Sequence, residues 1–443
     1  MQTDGSTSRV ILSKSTAFSS RFGRPIGLLV VGVAAVAASA CGGRDSADGP
    51  GPRPSGPVSS KVVREEPPVV TVTLPGEPAE FYRASGERAT TSSLTRGVEE
   101  RFPRLRAVPC LERAAGIYGR TSQADRLPLA FSEFVLHWSG CPDPFAAVIH
   151  ILTGDDGDDA FFEELARVLE TVPATHVGVA RVPARAPYAW RWTVFLVKRT
   201  VEMQAVPTTA APGSSLALVV RFLRPVEGAS VISMGPDGGV VNLATGLSGD
   251  RMLAAVELAG RPGTQWIEVV ATDASGPHVV LLFPVEVGRE PSRAWVGTRR
   301  QDEGWIRDPV TAETYAYGLL DQDRSRFGLP ALIRDDTLAA VARRHSAEMA
   351  RTGEIAHVSP ATGSVGNRLE AAGFLATFAA ENIARSSTIS DAQEGLMRSP
   401  GHRAAILTPD VSHVGIGIVS THHDATGDVY FVTQVFAKPG PRY

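Results

Sequence analysis

Between residues 336 and 353, Leu338, Val341, Ala342, Met349 and Ala350 recur at three- and four-residue steps, with His345 on the same face. That spacing predicts an amphipathic helix, ended by Gly353. Tyr315, Leu319 and Leu320 predict an earlier helix, broken by Gly328 and Pro330. Short helices are expected at Arg368–Ala372 and Asp391–Met397, and then GIGIV and YFVTQVF read as antiparallel strands joined across the polar hairpin THHDATGD. Residues 305–440 thus form one α+β unit. Upstream, CLERAAGIYGR (110–120) sets Leu111, Ala114, Ala115 and Tyr118 on one side of a helix, and FFEELARVLETV (161–172) is amphipathic throughout. VVTVTL (69–74), HVGVARV (176–182) and RWTVFLVKR (191–199) read as strands, so 62–203 is a second mixed unit. Between them, 204–292 holds only short β-runs punctuated by GPDGG, GLSGD, GRPG and SGP. That pattern predicts an all-β sandwich acting as a spacer or docking domain.

The first forty residues follow none of these periods. Arg9, Lys14, Arg21 and Arg24 precede an apolar run from Ile26 to Ala40, which is too short for a bilayer span and is read as a signal peptide (1–40). Ala38-Ser39-Ala40-Cys41 resembles the lipobox of bacterial lipoproteins, which implies lipidation at Cys41 and attachment to a membrane of the cell envelope. Plain secretion is the alternative. Residues 41–61, rich in Gly, Pro and Ser, read as a flexible tether. Export makes the two other cysteines, Cys110 and Cys141, either a disulfide or a pair of buried thiols. At 443 residues the chain is long enough for about three domains. Its formal net charge of −3 gives no nucleic-acid footprint.

The two mixed units echo one another. HVGVARV followed by WRWTVFLVKR parallels HVGIGIV followed by VYFVTQVFAKP, and CLERAAGIY parallels TLAAVARRH. His137 in FVLHWSGCPDP falls about where His357 falls in EIAHVSPATG. The first mixed unit is expected to be a diverged, inactive copy of the second.

The order GLPAL, LAAVARRHSAEMARTGEIAH with its trailing VSP, NRLEAAGF, AENIA, GLMRSPGHRAAIL, VGIGIV and VTQVFA resembles the CAP superfamily, that is, cysteine-rich secretory proteins, antigen 5 and pathogenesis-related 1 proteins, in its bacterial form. The resemblance implies an α-β-α sandwich (the SCP domain) with a cleft lined by two histidines and one or two glutamates. Residue by residue, these fall on His357, Glu381 and His402, with Asn382 beside the glutamate. The second glutamate aligns with Ser399 and is missing.

Two imidazoles and a carboxylate form a plausible face for a divalent metal such as zinc, so His357, Glu381 and His402 are the candidate ligands. Glu381 could instead act as a base or brace the cleft wall through backbone amides. Asn382 reads as a backbone organiser, and Pro400-Gly401 is expected to present His402 in a turn toward the His357 side. Ser399 lacks an oriented acid by spacing and makes a poor nucleophile. His345 reads as a packed core histidine, His176 and His413 as strand-start caps, and His422, His423 and Asp424 as a solvated hairpin tip. GDDGDD (154–159) lacks the ligand spacing of a calcium loop. The leading expectation is a non-catalytic module binding a metal, a small ligand or an envelope component. A metal-dependent hydrolase acting on peptides or cell-wall material, with Glu381 as base, is the alternative, and a structural envelope protein is a third.

Overall fold

The computed structural model describes residues 69–84, 91–121, 127–154, 157–243, 245–299, 302–423 and 427–441, preceded by two short strands, Arg9–Leu12 and Val30–Gly32. Cys41, the tether 41–61 and Asp424 lie outside the described residues. The two early strands fall inside the segment read as a leader. Arg9–Leu12 pairs with Ala147–Thr153 and Val30–Gly32 with Ala376–Ser386, each satisfying a sheet edge.

The C-terminal unit is α+β. Its sheet runs Ala376–Ser386, Gly427–Pro439, His413–His423, Ile333–Arg334, with the last two strands parallel and the others antiparallel. The helix Asp336–Thr352 lies across it on the face the spacing predicts, burying Leu338, Val341, Ala342, His345 and Met349. Gly353, at φ 74°, ends this helix in the left-handed conformation that glycine adopts without penalty. At the other end Asp335 accepts a hydrogen bond from the Leu338 amide at 2.9 Å. Losing that cap in Asp335→Ala is expected to cost about 1 kcal/mol, read as a small drop in thermal midpoint. The helix approaches the sheet so closely that a Cβ on Gly415 would come within 2.1 Å of the Leu338–Ala339 backbone. Helices Ile389–Arg398 and Pro400–Leu407 cover the opposite side, packed into the core with Leu320, Ile416 and Phe436.

The N-terminal mixed unit repeats this topology. Ala147–Thr153, Trp190–Val197, His176–Pro183 and Arg106–Ala107 follow in the same order, again with the last pair parallel. The helix Pro109–Arg120 crowds Gly178 as its counterpart crowds Gly415; a Cβ there would meet the Leu111–Glu112 backbone at 2.0–2.1 Å. The registers also coincide. His176 faces Val197 and His413 faces Ala437, which places Val148 and Ile149 where the other copy carries Glu381 and Asn382. His137 is not a counterpart of His357. It sits near the end of the helix Leu129–Trp138, between the rings of Tyr82 and Trp266, whereas His357 follows its helix in a loop. Cys110 and Cys141 are joined by a disulfide, tying the start of one helix to the segment after the next.

The middle unit is a sandwich of two five-stranded sheets among the described residues. Its boundary shifts from that expected at 203/204: strands Phe81–Ala84 and Val201–Pro207 both belong to it. Tyr82, Ala84, Val201 and Met203 are buried in its core, so apolar packing rather than chain order assigns them. A separate two-stranded ribbon pairs Val69–Thr73 with Ala294–Thr298, Val69 opposite Thr298, and seats Trp295 and Leu74 in the core of the N-terminal unit.

Candidate functional site

Glu381 is the centre of the site. It lies on the strand Ala376–Ser386 with 1% of its surface exposed. The His357 Nδ1 donates to its Oε1 at 3.0 Å, and the Arg368 guanidinium, from the helix Val365–Ala371, donates to its Oε2 at 2.6 Å. Arg368 also reaches the carbonyls of Gly363 and His357, at 2.6 and 3.3 Å, fixing the loop that carries His357. His345 stands 3.9 Å from Glu381 Oε1, while its Nε2 donates to the Ala356 carbonyl at 2.9 Å. Burial alone raises the pKa of Glu381. The His357 hydrogen bond and the Arg368 charge outweigh it and hold the carboxyl at about 2. Burial pushes the pKa of His345 down, against the pull of Glu381, and so keeps the ring neutral.

A carboxylate is acceptor-only, so His357 carries a proton at Nδ1. Glu381 therefore orients an imidazole, as a carboxylate does behind many functional histidines. Both its oxygens are engaged by protein donors, which leaves it poorly disposed as a base or as a third metal ligand.

Asn382, one residue on, points to the opposite face of the strand. Its Nδ2 donates to the His402 carbonyl at 3.2 Å and to Gln434 Oε1 at 3.3 Å, a backbone-organising role. His402 is not in a turn. Ser399 both ends the helix Ile389–Arg398 and opens Pro400–Leu407, and His402 falls in the first turn of the second helix with none of its surface exposed. The proline at the first helical position lets the new helix start without losing a hydrogen bond. His402 Nδ1 is 2.9 Å from Ser399 Oγ, and Ser399 in turn donates to Glu268 Oε2 at 2.5 Å. Ser399 is fully buried with its proton committed, so it is no nucleophile.

Among the described residues, no group of three or more His, Cys, Asp or Glu side chains is disposed to hold a metal ion. His357 and Glu381 bond to one another, and His402 bonds to Ser399. The donor set His357, Glu381, His402 therefore does not fit a three-ligand metal centre. Of the other histidines, His176 and His413 each contact a neighbouring hydroxyl, Thr175 or Ser412, at 2.7 and 2.9 Å.

The other two units close over this region. Val358, beside His357, donates its amide to the Ser275 carbonyl of the sandwich at 3.0 Å. Arg398 reaches Glu133 of the N-terminal unit at 2.7 Å, and Asp391 accepts from the Leu129 amide there at 3.2 Å. Where the three units meet, a cavity of about 590 Å³ is lined by Val172 and Leu196, by Phe222 and Val280, and by His345 and Ile355. Patterning missed two functional residues. Arg368 lies in NRLEAAGF and read only as helix. Glu268 is the one acid in the apolar strand QWIEVVA, and that isolation was its signal.

Residues 317–436 match the sequence model of the Cysteine-rich secretory protein family, CAP. Two curated relatives come from Bacillus subtilis (strain 168). The "uncharacterized membrane protein YlbC" is 36% identical over 138 residues, 31% of this chain and 37% of that protein. The "uncharacterized protein YkwD" is 35% identical over 104 residues, 23% of this chain and 40% of that protein. The chain thus spans about two-fifths of the length of the curated relatives it matches. Among solved structures, an extracellular protein containing a SCP domain from Bacillus anthracis is 17% identical, with a TM-score of 0.27, covering 54% of this chain and 86% of that one. With its motifs in order and its α+β sheet in place, the segment 317–436 is a CAP domain of the cysteine-rich secretory protein family.

Proposed function

We propose that the protein is a non-catalytic binding module of the cell envelope, whose CAP domain holds a small ligand or envelope component beside His357 and His402. One observation carries this reading: every acid at the site is spent on positioning. Glu381 gives both oxygens to His357 and Arg368, and Ser399 gives its proton to Glu268. A hydrolase with Glu381 as its base needs a carboxylate oxygen left for the substrate, and both are engaged. The envelope address is supported by the lipobox-like Ala38-Ser39-Ala40-Cys41 and by a disulfide of the kind that persists outside the cytosol. Lipid attachment at Cys41, or release after cleavage, completes that part of the reading.

The test uses the full chain against a panel of peptides and cell-wall fragments, with binding read by calorimetry and turnover by mass spectrometry. One class is expected to bind unchanged, and His357→Ala is expected to weaken it about tenfold or more, the equivalent of roughly 1.4 kcal/mol. Turnover that disappears in Glu381→Ala moves the protein to the hydrolases. Silence across the whole panel supports the structural reading instead.

A further inference from the structure

Glu268 belongs to the sandwich, on the strand Gly263–Asp273, yet its carboxyl group ends in the CAP domain. Its strand neighbours are Ile232 and Leu282, and Trp266 and Val270 flank it along the chain on the same face. An acid in the middle of such a face is costly to bury unless it is fully partnered. Its partners are Ser399, whose hydroxyl donates at 2.5 Å, and the Gly401 amide, which donates at 3.3 Å. Both belong to the junction that positions His402, and Glu268, Ser399 and His402 all have no exposed surface.

The hydrogen-bond inventory fixes the proton order. A serine hydroxyl has one proton and can accept as well. An ionised carboxylate only accepts, so that proton goes to Glu268. Toward His402 the Ser399 oxygen can then only accept, so His402 carries a proton on Nδ1. His357 has the same order, set directly by Glu381.

We propose that the sandwich domain completes the CAP site: Glu268, acting through Ser399, is the positioning residue that holds His402 in its Nδ1–H tautomer, and the functional unit is the CAP domain with its sandwich. Ser399 stands where the family resemblance places a second glutamate, and here a neighbouring domain supplies the carboxylate through one intervening hydroxyl. The proposal deepens the binding-module reading, since it concerns the same site. Its test reads the imidazole itself, and so it fails independently of whether any ligand is found.

The experiment is nitrogen-15 NMR of the histidine rings in the full chain at pH 8, with His402 assigned by the signals lost in His402→Gln. The wild type is expected to show a protonated Nδ1 and an unprotonated Nε2. Ser399→Ala, which removes a single hydroxyl, is expected to lower the Nδ1–H to Nε2–H ratio roughly tenfold or more, as fits the loss of a charge-assisted hydrogen bond. Glu268→Ala should act in the same direction, and Glu268→Gln, whose amide nitrogen must face either the Ser399 hydroxyl or the Gly401 amide, should fall between Glu268→Ala and the wild type. A wild-type His402 protonated at Nε2, or a ratio unmoved by Ser399→Ala in a folded protein, overturns the assignment.

Discussion

Replacing Glu381 with alanine is expected to destabilise the CAP domain by about 3–5 kcal/mol, the usual cost of removing one partner from a buried ion pair. The change strands the Arg368 guanidinium, which is 7% exposed, with only carbonyl partners, and deprives His357 Nδ1 of its acceptor. Glutamine does not rescue the site well. Both partners are donors, so the amide nitrogen of Glu381→Gln must face one of them. The double variant with Arg368→Met is expected to recover part of the loss, because an apolar pair carries no uncompensated charge. Calorimetric unfolding at pH 7 measures each of these; a loss under 1 kcal/mol in Glu381→Ala contradicts the central role given to this carboxylate. The pH dependence follows from the lowered pKa. The contribution is present above the ordinary carboxyl value of 4.5 and is lost as pH falls toward about 2.

Glu268 should show the opposite dependence. Burial raises its pKa from 4.5 to about 7, against the Ser399 and Gly401 hydrogen bonds. Between those values the folded chain binds more protons than the unfolded one, so stability falls as pH rises through this window and levels off above it. The size is about 3 kcal/mol. Glu268→Gln cannot ionise and keeps an acceptor for Ser399, so it is expected to be the more stable chain at pH 8 and to match the wild type near pH 4. Contributions from every other group cancel in the comparison of the two proteins. Thermal midpoints measured across pH for both settle it: parallel curves refute the raised pKa.

Several helices and strands of the CAP domain were legible because amphipathic spacing survives in them, whereas the strands Ile333–Arg334 and Ala376–Ser386 and the helix Pro400–Leu407 were not. Leu338, Val341, Ala342 and Met349 are all buried as their positions imply. The duplicated topology was legible too, through HVGVARV and HVGIGIV, whose glycines mark where a helix crosses the sheet. The pairing of Glu381 with His357 came from the family resemblance, because residues 24 apart in sequence carry no spacing signal of their own. What local pattern cannot show is a partner from another unit. Glu268 meets Ser399 across 131 residues of chain, and Phe81–Ala84 joins a sheet whose other strands begin more than a hundred residues later. His137 misled for the complementary reason. It shares a motif-like neighbourhood with His357, but its ring was claimed by Tyr82 and Trp266, contacts that only the assembled fold creates.

The ribbon that pairs Val69–Thr73 with Ala294–Thr298 has a mechanical corollary. Val69 and Thr298 lie at one end of it, and from that end the chain runs toward its N-terminus on one side and toward the CAP domain on the other. Tension applied at Val69 and Thr298 loads the two strands at this shared end. The rungs then part singly, like a zip, instead of resisting together in shear.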